Sequence, residues 1–200
     1  PDQKPGTAES EKPVPETNLP NARFGAAPSR PASTKMIKKN FYEATSHLLK
    51  TDPAKAVLWK SKESQQKRFD VFTKRMIQDD ENFTLLDAGA GTGEFLDYAR
   101  KLKMDYTGID IYDIFVKEAQ RLGRNVQHCS IENSASLGKK FDYIIASGVF
   151  NLKDSGDWQA GIRQLYNICN EAVAVNFITK RPDDAYNQFS EDEVMGFGLG

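Results

Sequence analysis

The sequence predicts an α/β protein with a doubly wound, mostly parallel sheet. From Phe83 onward, short apolar runs alternate with helical patterns, as in a chain of βα units. The first run leads directly into a glycine-rich turn and a helix, and right-handed crossovers would place helices on both faces of the sheet. The 200 residues are enough for one domain with a sizeable core.

Hydrophobic periodicity predicts the position of each element. Strands are expected at five apolar runs, 84–88, 106–111, 126–131, 143–147 and 172–178. Helices are expected between them at 94–102, 114–122 and 157–168, before them at 35–50 and 61–76, and after them at 189–197. The segment between the third and fourth strands is too short for a prediction.

The amino-terminal segment has a different composition. Seven of the nine prolines lie in the first 31 residues, with almost no large apolar side chains. We expect residues 1–34 to form a disordered tail or linker, because such a segment cannot offset its chain entropy, and residues 35–200 to form the folded domain. Position 1 is Pro rather than Met, so excision from a longer chain with neighbouring domains is expected.

Charge and cysteine content exclude several classes of protein. Twenty-seven basic residues balance 28 acidic ones, and this net charge of −1 gives no field that would concentrate nucleic acid or a membrane surface. No apolar run approaches the roughly 18 residues of a membrane span and no charged-then-apolar pattern occurs, so we expect neither a membrane span nor a signal peptide. Cys129 and Cys169 lack metal-ligand or disulfide spacing, so free thiols in a cytoplasmic protein are expected, with no metal site.

The strongest motif is an apolar strand that runs into a glycine turn, from Leu85 to Phe95. Glycine stands at positions 89, 91 and 93, and Asp87 precedes the first of them by two residues. Glycines let the backbone approach a ligand closely. In the dinucleotide fingerprint the third glycine comes one position later, so this spacing argues against a pyrophosphate ligand.

A second strand ends in Asp110, about 20 residues after the glycine turn. A carboxylate at that place can accept hydrogen bonds from both hydroxyls of a ribose. Together the two motifs indicate an adenosine compound without a diphosphate, bound over the carboxyl ends of the strands.

The segment Asp87 to Gly93 resembles motif I of the class I S-adenosylmethionine-dependent methyltransferases, and Gly108 to Asp110 resembles their motif II. Residues 141–151 are similar to the fourth strand and following loop of such enzymes. The resemblance covers roughly residues 59–180. It implies a Rossmann-like fold and S-adenosyl-L-methionine as cofactor, with cofactor contacts from Asp87, Gly89, Ala90, Gly91, Gly93, Asp110, Ile111, Ser130, Ile131, Ser147 and Gly148.

Within this resemblance the motif residues have separate roles. The three glycines would pass beneath the amino-acid part of the cofactor, and Asp110 would hold its ribose. Asp87 would orient the turn, directly or through water to the cofactor's ammonium group. At the end of the third strand many relatives carry an aspartate that reaches the adenine amino group, whereas this chain has Ser130 before Ile131, with Glu132 as the nearest substitute.

The segment from Trp59 to Phe69 resembles the W-x-S-x-E-S-Q-x-x-R-F leading helix of a bacterial methyltransferase subgroup of poorly defined substrate. The resemblance implies that Trp59, Gln65 and Arg68 close the cofactor pocket, with Gln65 or Arg68 facing the methionine carboxylate. The alternative is an ordinary amphipathic helix whose charges are solvated.

Groups just after the fourth and fifth strands are best placed to meet a methyl acceptor, which we expect to be a small molecule. The candidates are Phe150, Asn151, Asn176 and Phe177. Each has a structural alternative, since phenylalanines here are often core or rim residues and an asparagine often caps a turn. His47 and His128 are available as bases, but a lone histidine is more often structural, and no catalytic base is assigned.

The sequence therefore predicts methyl transfer by in-line displacement, with two alternatives. A binding module could keep the fold and the cofactor without turnover. An NAD-dependent oxidoreductase is disfavoured by the position of the third glycine. Class I methyltransferases usually add an antiparallel strand pair after the fifth strand, and the chain ends at Gly200 before such a pair, so we expect the domain to be incomplete at its carboxyl end.

Overall fold

The computed structural model describes residues 44–75, 77, 82–152, 156–178 and 186–198. Within them, five parallel strands form one sheet in the order β3-β2-β1-β4-β5. The strands are β1 (Phe83–Ala88), β2 (Met104–Asp110), β3 (Val126–His128), β4 (Phe141–Ser147) and β5 (Cys169–Asn176). This strand order confirms the predicted doubly wound fold.

Helices connect the strands and flank the sheet. They are α1 (Pro53–Ala56), α2 (Lys62–Arg75), α3 (Glu94–Tyr98), α4 (Asp113–Arg121), α5 (Trp158–Asn167) and α6 (Glu191–Gly198). Side-chain caps determine where several helices begin. Before α2, Ser61 Oγ accepts from the Ser64 amide at 3.2 Å, and before α5, Asp157 Oδ1 accepts from the Gln159 amide at 3.0 Å. Ser190 Oγ likewise accepts from the Glu193 amide at 3.1 Å before α6, the first half of a capping box.

Several predicted boundaries were wrong. The third strand ends at His128 rather than at 131, because the chain turns there and both Ser130 O and Ser130 Oγ accept from the Asn133 amide. The fifth strand begins at Cys169 rather than at 172, and the helix predicted at 94–102 ends at Tyr98. A 3-10 turn at Ser134–Leu137 fills the segment left without a prediction.

The amino-terminal predictions fall largely outside the described residues. The tail at 1–34 and the part of the first helix up to residue 43 are among those not described. Of the rest of that predicted helix, residues 44–45 are helical and a short 3-10 turn follows at Ser46–Leu48.

Two apolar cores lie on opposite faces of the sheet, and the alternating side chains of β1 contribute to both. Leu85 belongs to the core that includes Phe69 and Phe95, which pack edge to face with ring centroids 5.1 Å apart. Leu86 belongs to the core that includes Leu165 of α5. Both leucines are fully buried, so β1 is held rigidly at the centre of the sheet.

The described helices are all too short or too polar to cross a lipid bilayer. Cys129 and Cys169 are free thiols, both half-buried.

Candidate functional site

A cavity of about 380 Å³ lies at the carboxyl ends of the strands. The turns after β1, β2, β4 and β5 form its floor, and residues before and within α2 cover one side. Most of the predicted site residues line it: Trp59, Gln65, Arg68, Asp87, Gly89, Ala90, Gly91, Asp110, Ile111, Ile131, Ser147, Gly148, Phe150, Asn151 and Asn176.

Three other predicted residues do not line the cavity. Gly93 is the N-cap of α3, with φ of +78°. Ser130 Oγ accepts from the Asn133 amide at 3.3 Å. Phe177 stacks on Phe150 with ring centroids 6.4 Å apart. Glu132, the suggested substitute for Ser130, is exposed and does line the cavity.

Backbone hydrogen bonds hold the glycine turn against β2. The amides of Gly89 and Ala90 both donate to the Ile109 carbonyl, at 2.8 and 3.0 Å. Gly89 has φ of +78°, and a Cβ there would lie 2.0 Å from Val149 Cγ2; at Gly91, with φ of +56°, a Cβ would lie 2.8 Å from Val57 Cγ1. Both conformation and space therefore require glycine.

Asp110 is held against this turn. Its Oδ2 accepts from the Gly91 amide and its Oδ1 from the Tyr112 amide, each at 2.8 Å. Burial raises the pKa of the Asp110 carboxyl, and the hydrogen bonds from backbone amides oppose that rise. The result is a fixed carboxylate at the cavity wall with lone pairs left for a ligand.

Asp87 is a second buried carboxyl group, at the carboxyl end of β1. The Tyr106 hydroxyl donates to its Oδ2 at 2.9 Å. Burial raises the pKa of Asp87 to about 7, against the effect of the hydrogen bond from Tyr106, and the negative charges of Asp110 and Glu94 raise it further. Tyr106 was not predicted as a site residue, although the strand period places it on the same face as Gly108, next to Asp87.

The segment before α2 and the helix itself cover one side of the cavity. Gln65 is buried, Trp59 is half-buried and Arg68 is exposed. A Cβ placed on Gly148 would lie 3.9 Å from Trp59 Cζ2, so the indole approaches the turn after β4. Val57 and Leu58, which the sequence analysis did not single out, also line the cavity.

The far end of the cavity, after β4 and β5, is built around two asparagines. Asn151 Oδ1 accepts from the Ile178 amide, and Asn176 Oδ1 accepts from the Gly148 amide, both at 2.9 Å. Ser147 Oγ is buried and has no hydrogen-bond partner among the described residues. Phe150 is only 2% exposed and supports this end from the core side.

The described part of the chain contains no group of three or more His, Cys, Asp or Glu side chains arranged to hold a metal ion.

Comparisons with known proteins agree with this geometry. A methyltransferase domain family model matches residues 52–193. A Mycobacterium tuberculosis protein named "Putative methyltransferase Rv1506c" is 32% identical over 108 residues, which are 52% of this chain and 65% of that protein. The matched region thus spans slightly under two thirds of that relative's length.

Solved structures share the fold at low sequence identity. The magnesium protoporphyrin IX methyltransferase of Synechocystis PCC 6803, crystallised with S-adenosylmethionine, superposes with a TM-score of 0.62 at 15% identity, covering 87% of this chain and 86% of that one. The [4+2]-cyclase SpnF superposes with a TM-score of 0.54 at 16% identity, covering 70% and 58%. The family resemblance found in the sequence is confirmed: this chain belongs to the methyltransferase domain family, and its fold is that of the class I enzymes.

Proposed function

We propose that this chain binds S-adenosyl-L-methionine in the cavity and transfers its methyl group to a small-molecule acceptor. The observation that carries the proposal is Asp110, a buried carboxylate fixed 2.8 Å from the Gly91 amide of the glycine turn. That pairing offers a ribose acceptor and a closely approachable backbone at one place, and the third glycine lies one position earlier than in a pyrophosphate-binding turn.

The cavity residues fit the separate parts of this cofactor. Asp110 would accept hydrogen bonds from the ribose hydroxyls through lone pairs that its two backbone donors leave unused. Ile111 and Ile131 would flank the adenine, with Glu132 near its amino group, since Ser130 does not line the cavity. Gly89 to Gly91 would pass beneath the methionine part.

The charged residues of the cavity also match the charged groups of the cofactor. The cofactor carries a positive sulfonium and ammonium and one carboxylate, and the cavity lining contains both Asp87 and Arg68. Asp87 would meet the ammonium, whereas Gln65 or Arg68 would meet the carboxylate. Trp59 would close the pocket from the start of α2, as in the subgroup whose leading helix this segment resembles.

When bound, the cofactor supplies a methyl group on a sulfonium, an already activated leaving group. A nucleophile of the acceptor would attack the methyl carbon as the carbon–sulfur bond breaks. The electron pair of that bond would stay on sulfur, and any proton of the nucleophile would pass to water. The protein then has to align the two partners and exclude bulk solvent. Ser147, Asn151 and Asn176 line the end of the cavity where the acceptor would lie, and Phe150 backs it.

A location in the cytoplasm, expected from the sequence, is part of this proposal and agrees with the two free thiols.

Calorimetric titration tests the proposal. At pH 8, S-adenosylmethionine and S-adenosylhomocysteine should bind with micromolar affinity, and NAD should not bind. Asp110→Asn should weaken binding at least about tenfold, because a charge-assisted hydrogen bond is worth roughly 1.5–3 kcal/mol. Asp113→Asn, which removes an exposed carboxylate outside the cavity, should leave the affinity unchanged.

Other results would overturn the proposal at different points. Binding of NAD alone would indicate an oxidoreductase, and no binding of any of the three ligands would reject the cofactor site. Tight binding without transfer of a labelled methyl group to any member of a small-molecule acceptor panel would favour a binding module. The cyclase with the same fold shows that the fold alone does not require methyl transfer.

A further inference from the structure

Tyr106 and Asp87 form a buried pair whose geometry depends on Gly108. Asp87 lies beside Gly108 in the β1–β2 register, and Tyr106 precedes Gly108 by two residues on the same face. A Cβ on Gly108 would lie 3.0 Å from the Tyr106 hydroxyl oxygen and 2.9 Å from Ala90 Cβ. The missing side chain at Gly108 therefore leaves the space in which the phenol reaches the carboxyl group.

The two side chains have different access to a ligand. Asp87 lines the cavity, whereas Tyr106 does not and lies among the core residues behind it. Tyr106 occupies Oδ2 of Asp87, and the described residues give Oδ1 no hydrogen bond. Tyr106 thus orients the carboxyl group and leaves one of its oxygens for a donor in the cavity.

The charges around the pair are mostly negative. Asp110 from β2 and Glu94 from α3 disfavour the charged form of Asp87, and Tyr106 favours it by donating a hydrogen bond. The positive charge of Arg124, which lies just before β3, works to lower the pKa of Tyr106. Its Nη1 also lies 3.8 Å from Glu94 Oε1. Burial and these charges raise the pKa of Asp87 to about 7, so the free protein holds a proton there below neutral pH.

We propose that Tyr106 is a positioning residue that holds Asp87 for the amino group of the cofactor, and that binding the cofactor at acidic pH expels a proton from Asp87. The inference rests on the proposed function and adds a pH-dependence to it. A positively charged ammonium requires the carboxylate form of Asp87. Affinity should therefore rise with pH and level off above about pH 7, falling about tenfold per pH unit below that value.

The test measures the affinity for S-adenosylhomocysteine by calorimetry between pH 5.5 and 8.5. Wild type should show the rise and plateau. Tyr106→Phe should shift the midpoint upward by about one pH unit, because it removes a hydrogen bond that favours the carboxylate. Asp87→Asn should remove the rise in affinity below pH 7. Any pH-dependence that remains should come from titration of the ligand itself.

Two controls separate Asp87 from other groups. Tyr98→Phe removes a comparable hydrogen bond, from a tyrosine hydroxyl to Asp70 outside the cavity, and should leave the profile unchanged. 5′-Methylthioadenosine keeps the base and ribose but lacks the amino acid. Its binding should report any titration of Asp110, whose pKa burial also raises, without that of Asp87.

Proton release gives a second measurement on the unaltered chain. Titrations at pH 6 in two buffers of different ionisation enthalpy should show release of about one proton for S-adenosylhomocysteine and less for 5′-methylthioadenosine. This result does not depend on whether Tyr106→Phe folds. Binding that is strong but independent of pH, or unchanged by Tyr106→Phe with no proton released, would overturn the inference, whereas absence of binding at every pH would overturn the proposed function instead.

Discussion

At the scale of single residues, Gly89 is the most constrained position of the turn. Gly89 has φ of +78° and Gly123 has φ of +74°, but only Gly89 has a neighbour within 4 Å of its would-be Cβ, namely Val149 at 2.0 Å. Gly123→Ala should cost about 1–2 kcal/mol of unfolding free energy, for the left-handed backbone alone. Gly89→Ala should cost about 1–3 kcal/mol more because of the clash.

Urea unfolding of both variants measures this difference, and calorimetry should show that only Gly89→Ala also loses cofactor affinity. Equal destabilisation by the two substitutions would contradict the packing at Gly89.

The ionisation of Asp87 makes the stability of the free protein depend on pH. The folded pKa of about 7 exceeds the ordinary value of 3.8, so between these values the folded state holds a proton that the unfolded chain has lost. The contribution of this group to stability is therefore fully present below about pH 4 and is lost as the pH rises through 7.

Asp87→Asn should accordingly be more stable than wild type at pH 8, by up to ~4 kcal/mol, and the difference should shrink at pH 5. Asp142→Asn should have the opposite sign, because the hydrogen bond from the Thr84 amide lowers the pKa of Asp142 and favours its charged form. Urea unfolding at the two pH values checks both. A gain of Asp87→Asn that was equal at pH 5 and pH 8 would contradict the burial of a carboxylate there.

The sequence predicted the position of those residues that belong to a local motif. Gly89, Gly91 and Asp110 belong to a strand–turn–helix pattern and its following strand, and all three line the cavity. Tyr106 was missed because its role depends on the register between two strands and on the space above Gly108, which a single sequence does not contain. Ser130 was misplaced relative to the cavity because the third strand ends two residues before it.

At the scale of elements, Arg124 connects the segment before β3 to the start of α3. Its guanidinium donates to the Thr92 carbonyl and pairs with Asp97, and its side chain is only 11% exposed. Arg100 pairs with the same Asp97 from the surface, with 75% of its side chain exposed. The contacts of Arg124 therefore hold the end of the glycine turn against the segment that leads into β3.

Arg124→Ala should lower the unfolding free energy by about 1.5–3 kcal/mol, because it removes a part-buried, charge-assisted hydrogen bond to the Thr92 carbonyl together with the pairing to Asp97. Arg100→Ala should lower it by about 0–1 kcal/mol, as expected for an exposed ion pair. Thermal or urea unfolding measures both. Similar losses of unfolding free energy for the two variants would show that Arg124 contributes no more than an exposed ion pair.

Elements were predictable where apolar periodicity was long and unambiguous. Helix α2 and strands β1, β2 and β4 lie within two residues of their predicted bounds. β3 contains only three residues, and its end is set by the turn at Ser130 rather than by its own apolar run. β5 begins earlier because Cys169 pairs with Phe141 across the sheet, a contact between distant parts of the chain.

At the scale of the whole molecule, the strand order follows from general rules of chain connection. Right-handed crossovers from a central β1 to β2 and β3 on one side and to β4 and β5 on the other give the observed sheet and place the switch point at the glycine turn. The cavity forms at that switch point, as the sequence predicted. Val57, Leu58 and Trp59 also line the cavity. Their position was harder to predict, because it depends on how the segment before α2 packs over the sheet.

An amide NMR titration with S-adenosylhomocysteine at pH 8 tests whether the cofactor binds between Asp110 and the glycine turn. The amides of Gly91 and Tyr112, which donate to Asp110, should shift together with those of Gly89 and Ala90, while the amides of Gly123 and Gly138 should not move. Saturable binding that left the glycine turn and Tyr112 unperturbed would place the ligand elsewhere and contradict the account.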